Sequence, residues 1–526
     1  GEIKLRPSLV RVSKAVFIPC IFMCSAELGL ARAPAELHRL TPQEQVALAR
    51  TLVFQVVAQQ VAADSPRDYF PSLHSATIIN DGKRHAGLAV GSKQFPAGFI
   101  AVEQSWTPEP VAYGPLGEDF AYANTSWMWN GQRITTYMLD AVGDSEEDGA
   151  LELRLMFHEA GHTFAYDHVP ASSQFGAHAR FGVFYPIYDA ENSALARLEA
   201  KLLIEAYQQR ESSATLMQIA REFAAIRRLR YARLTPELVT FEQDNELNEG
   251  LAEYIGKSAL RRWLASGIKL DPVLAAAARL GNLTTAERST NAESAGFLQD
   301  REKVRLGLTR EWAYHSGPAI GYLLDAVAPG WLRQLEKSSS VTMWDVLRNS
   351  LALSYLEASR RVETVKQRYD WPSLLADEKQ AQQQRKSQHE QMIADLEHGD
   401  GTVIRIEMAP VFTGDNQRVY FDPRGIINVG EGREIYPHYL ELKAEPDYDA
   451  KVERNVLVDK VRSTLVTRLP PAAKLTITAS GAPVTVSENV ETYRDLRVIA
   501  DSVEVQMRAA RAVMKNHVLT ITAIPK

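Results

Sequence analysis

The residues best suited to chemistry in this chain form the run His158-Glu159-Ala160-Gly161-His162. Positions i and i+4 of an α-helix share a face, so both imidazoles can reach one metal ion. Glu159 falls at the edge of that face, where its carboxylate can act on a water molecule without binding the metal. The spacing therefore predicts a zinc hydrolase with Glu159 as general base for a zinc-activated water. The alternative is a pair of core histidines satisfied by hydrogen bonds.

The sequence around this motif has the pattern of a buried amphipathic helix. Apolar residues recur at intervals of three or four positions, for example at Leu151, Leu155 and Phe164. Acidic residues at 146–148 fall in the predicted first turn, where the positive end of the helix stabilises them. The pattern predicts that both histidines lie on one helix.

A zinc site needs a third protein ligand, and two candidates compete. His168 follows the second histidine by six residues, which nearly gives the metzincin spacing, but Ala165 stands where that pattern has glycine. If the helix continues, the ring of His168 lies ~15 Å beyond that of His158 along the axis, too far to share an ion. The second candidate is Glu249, in the run Asn248-Glu249-Gly250-Leu251-Ala252-Glu253-Tyr254.

The run around Glu249 resembles the second signature of the gluzincin metallopeptidases, as found in the aminopeptidase-N-like and glycyl-aminopeptidase-like families. The resemblance implies that Glu249 completes the zinc shell, and we favour it over His168. Glu253 comes four residues later on the same helical face, where it can orient a ligand imidazole. A solvated acidic helix face is the other interpretation of these two carboxylates.

A third segment, Tyr314-His315-Ser316-Gly317, resembles the Tyr-x-Lys-Gly segment that follows the zinc site in those families. There the tyrosine hydroxyl supports the oxyanion of the tetrahedral intermediate, and the resemblance carries this role to Tyr314. Ser316 stands where lysine is usual, which removes a positive charge from the neighbourhood. Ordinary core packing is the alternative for Tyr314.

The resemblance and the element pattern together predict an α+β fold. We expect a thermolysin/gluzincin-like catalytic domain, mainly helical with a small N-terminal mixed sheet, followed by a β-rich C-terminal domain. A helix over 41–63 should open with Thr41 as N-cap and Glu44 as its capping-box partner. Residues 133–139 should form a strand, either a sheet edge that binds a substrate peptide or an interior strand.

The domain boundaries follow from changes in this pattern. A long connection separates His162 from Glu249, and its two strongly helical segments, 189–209 and 214–233, predict a helical hairpin. The expected parts are a signal peptide (1–35), an N-terminal α/β part with an edge strand (36–144), a helical zinc-binding part (145–370) with the hairpin insertion (170–245), a helical linker (371–400) and the β-rich domain (401–526).

The first 35 residues have the features of an export signal. Basic residues, among them Lys4 and Arg11, precede an apolar run at 15–26, and small residues follow. That run is too short to span a ~30 Å hydrocarbon core. Both cysteines, Cys20 and Cys24, fall inside the segment, so zinc must rely on nitrogen and oxygen ligands. We expect a periplasmic or secreted protein without stable membrane insertion once the signal is removed; a short membrane anchor is the alternative.

The sequence-based hypothesis is an exported zinc metallopeptidase with one Zn²⁺ held by His158, His162 and Glu249. Glu159 and Tyr314 are the expected catalytic residues, and the expected partner is a peptide or protein substrate. A formal net charge of −6 over 526 residues gives no electrostatic footprint for nucleic acid. Two alternatives stay open: a zinc hydrolase that acts on a non-peptide amide or ester such as cell-wall material, and a catalytically silent binding scaffold.

Overall fold

The computed structural model describes residues 37–64, 76–92, 94–118, 120–143, 145–174, 178–309, 311–408, 417–422, 424–444 and 446–524. The expected signal segment therefore lies outside the described residues. Within the described ranges, no helix combines the length and the apolarity needed to cross a membrane.

The described chain begins with helix α1 (Pro42–Asp64). Its start has the predicted capping box: the Thr41 amide donates to Glu44 Oε2 at 2.7 Å, and the Glu44 amide donates to Thr41 Oγ1 at 3.2 Å. This exchange satisfies two amides that the first turn cannot pair within the helix.

A mixed six-stranded sheet follows α1. Its strands are β1 (Thr77–Asp81), β2 (Ala86–Val90), β3 (Ile100–Ala101), β4 (Val111–Pro115), β5 (Thr125–Trp129) and β6 (Gln132–Met138). Their order is β3-β4-β2-β1-β6-β5, and β1 pairs with β6 in parallel while the other neighbours are antiparallel. The interior-strand alternative for 133–139 is confirmed, and the edge-strand expectation for this segment is wrong. The edge beside β6 is β5.

A long helical region follows the sheet. Its helices are α2 (Glu146–His168), α3 (Ala190–Gln208), α4 (Ser213–Tyr231), α5 (Pro236–Asn245), α6 (Leu251–Ser266), α7 (Pro272–Ala278), α8 (Leu283–Gln299), α9 (Arg301–Gly307), α10 (Trp312–Val327), α11 (Leu332–Leu335), α12 (Met343–Leu351), α13 (Tyr355–Arg368) and α14 (Trp371–His398). A π-helical turn, Glu246–Gly250, joins α5 to α6. Helices α3 and α4 pack together as the predicted hairpin, and the Asp189 carboxylate caps the start of α3.

One hydrophobic core joins the sheet to the helices. Ile79 and Leu88 contribute from one face of the sheet, and Phe54 of α1 and Phe157 of α2 pack in the same core. The other face carries a smaller cluster that includes Ile78 and Ile134. Neighbouring residues of β1 therefore serve opposite faces, as the pleat requires. The core fixes α2 against β5 and β6.

The C-terminal region is a β-structure with its own core. Its strands are β7 (Thr402–Glu407), β8 (Gln417–Phe421), β9 (Ile427–Gly430), β10 (Arg433–Tyr436), β11 (Leu440–Ala444), β12 (Tyr448–Val452), β13 (Val456–Asp459), β14 (Thr464–Leu469), β15 (Thr476–Ala479), β16 (Ala482–Pro483), β17 (Glu491–Ala500), β18 (Val503–Lys515) and β19 (Val518–Ala523). The main path is β16-β15-β17-β18-β19-β7-β14-β13-β10-β9, with β12, β11 and β8 branching from β18. Helix α14 packs on this sheet through Ile393 and Leu396. The α+β class is confirmed.

Candidate metal centre

Helix α2 carries both histidines of the motif on one buried face. The two Nε2 atoms lie 3.1 Å apart, and His158 is 5 % exposed. Burial, the largest influence, lowers the pKa of His158 to about 4. The neutral imidazole is the form that binds a metal ion, so burial prepares His158 as a ligand.

Glu249 brings a carboxylate oxygen to the same point. Its Oε2 lies 3.3 Å from His162 Nε2 and 3.7 Å from His158 Nε2. Ligand atoms at about 2.0–2.1 Å from a tetrahedral zinc ion are about 3.3 Å from one another. Two nitrogens and one oxygen at these separations therefore match three corners of a zinc site.

Glu159 is the second carboxylate beside the imidazoles. The ligand atoms of His158, Glu159 and His162 all lie within 4.8 Å of one another, so these residues form a possible metal-binding triad. Glu249 Oε2 also lies within 4.8 Å of both histidine Nε2 atoms, at 3.3 Å from His162 and 3.7 Å from His158. Burial raises the pKa of Glu159 to about 7, and the neighbouring Glu249 adds to the effect. Four titratable groups thus surround one buried point.

Close backbone packing brings Glu249 to α2. A Cβ on Gly161 would lie 2.9 Å from the Cα of Ala252, so the middle of the motif lets α6 approach α2. A Cβ on Gly250 would lie 2.9 Å from the Cα of Gly317 on α10. The π-helical turn that carries Glu249 is therefore clamped between two helices, and a larger side chain at either glycine would push them apart.

Glu253 lies beside Nδ1 of His158, the ring nitrogen that faces away from His162 and Glu249. Its Oε1 lies 3.5 Å from His158 Nδ1, and both of its oxygens accept hydrogen bonds from Arg154 Nη1 at 2.7 Å. Burial acts to raise the pKa of Glu253, but Arg154 and His158 outweigh it and hold the value at about 2. Glu253 is therefore an ionised carboxylate placed to orient the imidazole.

Tyr314 lies beside the imidazoles in the first turn of α10. Its ring stacks near that of His158, with ring centroids 6.0 Å apart. Burial acts to raise the pKa of Glu249, but His162, His158 and a hydrogen bond from Tyr314 outweigh it and lower the value. Ser316 is fully buried and donates a long hydrogen bond of 3.5 Å to Glu246 Oε1. Position 316 therefore faces the start of the π-helical turn.

A cluster of buried ion pairs anchors the π-helical turn that carries Glu249. Arg227 Nη1 donates to Glu246 Oε2 at 2.7 Å, and Arg227 Nη2 donates to Glu199 Oε2 at 2.8 Å. Arg230 bonds Glu199 at 2.6 Å and Glu242 at 2.6 Å. These five side chains are nearly inaccessible to solvent. They tie α3, α4 and α5 to the turn that carries Glu249.

His168, the alternative third ligand, lies apart from the pair. Helix α2 runs without a break to His168, so its ring is ~15 Å beyond that of His158 along the axis. His168 instead stacks on Phe164, with ring centroids 5.3 Å apart.

Several residues of the site were not foreseen from sequence. Arg154 and Gly161 had signals that a helical wheel could have used, since they lie four positions before and three positions after His158 on α2. Arg227 and Glu246 act through tertiary ion pairs and carry no local signature.

The chain matches no family model, and no curated protein or solved structure is significantly similar to it.

Proposed function

We propose that this protein is an exported zinc-dependent metallopeptidase with a thermolysin/gluzincin-like catalytic domain. One observation carries the proposal: two imidazoles and the Glu249 carboxylate meet at ligand spacing, with a further buried carboxylate, Glu159, beside them. Three nitrogen and oxygen ligands plus a fourth open position are the pattern of catalytic zinc sites.

The residues that would hold one zinc ion are His158, His162 and Glu249. When bound, zinc supplies Lewis-acid chemistry, since it polarises a carbonyl group and acidifies water. The donor set fits this ion because its ligand atoms have the right separations and the described part of the chain pairs no Lys or Arg with Glu249 or Glu159.

Glu159 would do the proton transfer. As general base it takes a proton from the attacking water, and as general acid it delivers that proton to the leaving amine. Burial raises the pKa of Glu159 to about 7 in the absence of metal, and a bound cation would lower it toward the ionised form that a general base needs. Glu253 would act through His158 by holding the imidazole in place.

Tyr314 and strand β5 would handle the substrate. The tyrosine hydroxyl can donate to the oxygen on which negative charge develops, and one such donor contributes ~3 kcal/mol. Strand β5 forms the sheet edge beside α2, and its backbone could pair with an extended peptide. This assigns the edge-strand role to β5 in place of residues 133–139.

The remaining parts of the proposal depend on the sequence. The segment at 1–35 supports export to the periplasm or the exterior, and the acidic net charge gives no support for a nucleic-acid partner. The proposed partner is a peptide or protein substrate.

A Glu159→Gln substitution tests the proposal. The variant should bind about one zinc per chain, as the wild type does, because Glu159 is not a proposed ligand. Cleavage of a mixed peptide library should fall by about 10²–10⁴-fold, since the general base is lost. Glu211→Gln, at an exposed position on the helical hairpin, is the matched control and should keep full activity.

Zinc content by metal analysis and product formation by mass spectrometry give the two readouts. Cleavage of cell-wall fragments without cleavage of any peptide would replace the peptidase by a different zinc hydrolase. A Gln variant with wild-type activity would remove Glu159 from the mechanism.

A further inference from the structure

A polar cavity of about 300 Å³ lies next to the candidate metal centre. Tyr314 lines it, and the same ring stacks near His158. Arg154, Lys257, Ser294 and His315 form other parts of the wall, together with the carboxylates of Glu253, Glu293 and Glu311. Tyr314 therefore connects this cavity to the metal centre, although the proposed ligands His158, His162 and Glu249 do not line it.

Lys257 is the unusual member of this wall. The side chain is 3 % exposed, and its Nζ donates to the Thr290 carbonyl at 2.6 Å and to Ser294 Oγ at 2.8 Å. Both partners are neutral, and among the described residues no carboxylate forms an ion pair with Lys257. A buried ammonium is normally paired with an anion, because its desolvation is otherwise uncompensated.

Among the described residues, the nearby carboxylates attract this ammonium without forming an ion pair with it: Glu253, Glu293 and Glu287 act to raise the pKa of Lys257. Both oxygens of Glu253 already accept hydrogen bonds from Arg154 Nη1. Glu293 and Glu311 are exposed, so water and salt weaken their effect on a buried cation. Burial, the largest influence, lowers the pKa of Lys257 to about 8, which leaves the ammonium as the main form at neutral pH.

His315 adds a neutral polar group to the wall. Burial and the nearby Lys257 lower the pKa of this imidazole to about 4, and its Nδ1 lies 3.2 Å from Ser294 Oγ. The inner wall therefore offers one cation that has no ion pair among the described residues and is flanked by hydrogen-bonding groups, which is the chemistry that recognises a carboxylate.

We propose that this cavity receives a carboxylate of the substrate and that Lys257 is its counter-ion. The inference rests on the proposed function: the peptidase would prefer peptides with a carboxylate next to the cleaved bond. That carboxylate could belong to an acidic side chain or to a free C-terminus, and the experiments below separate these sources.

Binding of small probes tests the cavity without any need for catalysis. N-acetylglutamate α-amide and N-acetylglutamine α-amide differ only in one carboxylate, and N-acetylglycine and its amide form the matching C-terminal pair. Zinc-loaded wild type should bind the acid of at least one pair about tenfold more tightly than its amide, as a charged hydrogen bond allows. Calorimetric or ligand-observed NMR titration measures the ratio, and the pair that shows it identifies the source.

Lys257→Met is the decisive variant. If the carboxylate of the probe binds only to the zinc ion, the variant should still prefer the acid to its amide. We expect the preference to disappear in Lys257→Met. Equal affinities for acid and amide in the wild type, or an acid preference that survives in Lys257→Met, would overturn the proposal.

The stability of Lys257→Met separates this proposal from a purely structural role. If the main role of Lys257 is to link α6 to α8 by its hydrogen bonds, the variant should unfold more readily than the wild type. If the cost of burying its charge without an ion pair is larger, the variant should be at least as stable. Lys257→Gln keeps a donor without the charge and should also lose the acid preference. It provides the test if the Met variant does not fold.

Peptide cleavage separates this proposal from the proposed function. The kcat/KM ratio for matched Glu and Gln peptides, or for free and amidated C-termini, should favour the acid in the wild type and approach one in Lys257→Gln. Cleavage with no acid preference would reject the cavity proposal and leave the peptidase. If no peptide is cleaved, the proposed function fails, and the probe titrations still decide the role of the cavity.

Discussion

Two clusters of buried charge meet at the turn that carries Glu249, and they differ in how their charges are paired. In the ion-pair cluster, Arg227 and Arg230 bind three glutamates with short hydrogen bonds. In the metal-site cluster, His158, His162, Glu159 and Glu249, the described chain supplies no Lys or Arg partner. The first cluster is complete within the protein, whereas the second has the composition of a cation site.

The two clusters are joined by a single turn. Glu246 at its start belongs to the ion-pair cluster, and Glu249 one turn later belongs to the metal-site cluster. Buried ion pairs seldom add net stability compared with apolar residues, but the loss of one partner is costly. The comparison therefore indicates that the ion-pair cluster fixes the conformation from which Glu249 reaches the imidazoles.

The largest expected effect comes from breaking the ion-pair cluster. Arg227→Met leaves Glu199 and Glu246 short of a buried partner, so the free energy of unfolding should fall by about 3–5 kcal/mol. Zinc affinity should fall as well, because the turn loses its anchor. Urea denaturation and zinc titration measure the two effects.

Arg228→Met is the matched control for that experiment. Arg228 is the next residue on the same helix but is exposed, and surface substitutions of this kind usually change stability by no more than about 0.5 kcal/mol. If both variants lose the same small amount, the ion-pair cluster is not what holds the turn.

The second effect concerns the metal-site cluster and identifies its third ligand. Zinc at about 100 times its Kd should stabilise the chelator-treated protein by about 2.7 kcal/mol. Glu249→Ala should lose most of this gain, while His168→Ala should keep it because His168 lies far along α2. Thermal unfolding with and without zinc gives the comparison. The reverse result would make His168 the ligand and Glu249 a bystander.

The parts of this site that depend on local periodicity could be predicted from the sequence. The i, i+4 spacing on α2 placed His158 and His162 together, and the capping pattern predicted how α1 starts. Features that depend on packing between distant segments could not be predicted from the sequence. The π-helical turn, the close approach at Gly161 and the pairing of Arg227 with Glu246 all depend on tertiary contacts. The position of residues 133–139 was ambiguous for the same reason, since an edge strand and an interior strand share one pattern.

The smallest expected effect is a pH dependence of the ion-pair cluster. Burial acts to raise the pKa of Glu199, but Arg227 and Arg230 outweigh it, so the folded pKa lies below the unfolded value of 4.5. Because the pKa is lowered on folding, the ionised carboxylate contributes stability above pH 4.5 and loses it as pH falls toward the folded pKa. Urea denaturation of wild type and Glu199→Gln should give a stability difference that is largest near pH 6 and shrinks below pH 4.5. A difference that stays constant down to pH 3.5 would show that Glu199 does not titrate with folding, and that this cluster does not depend on its charge.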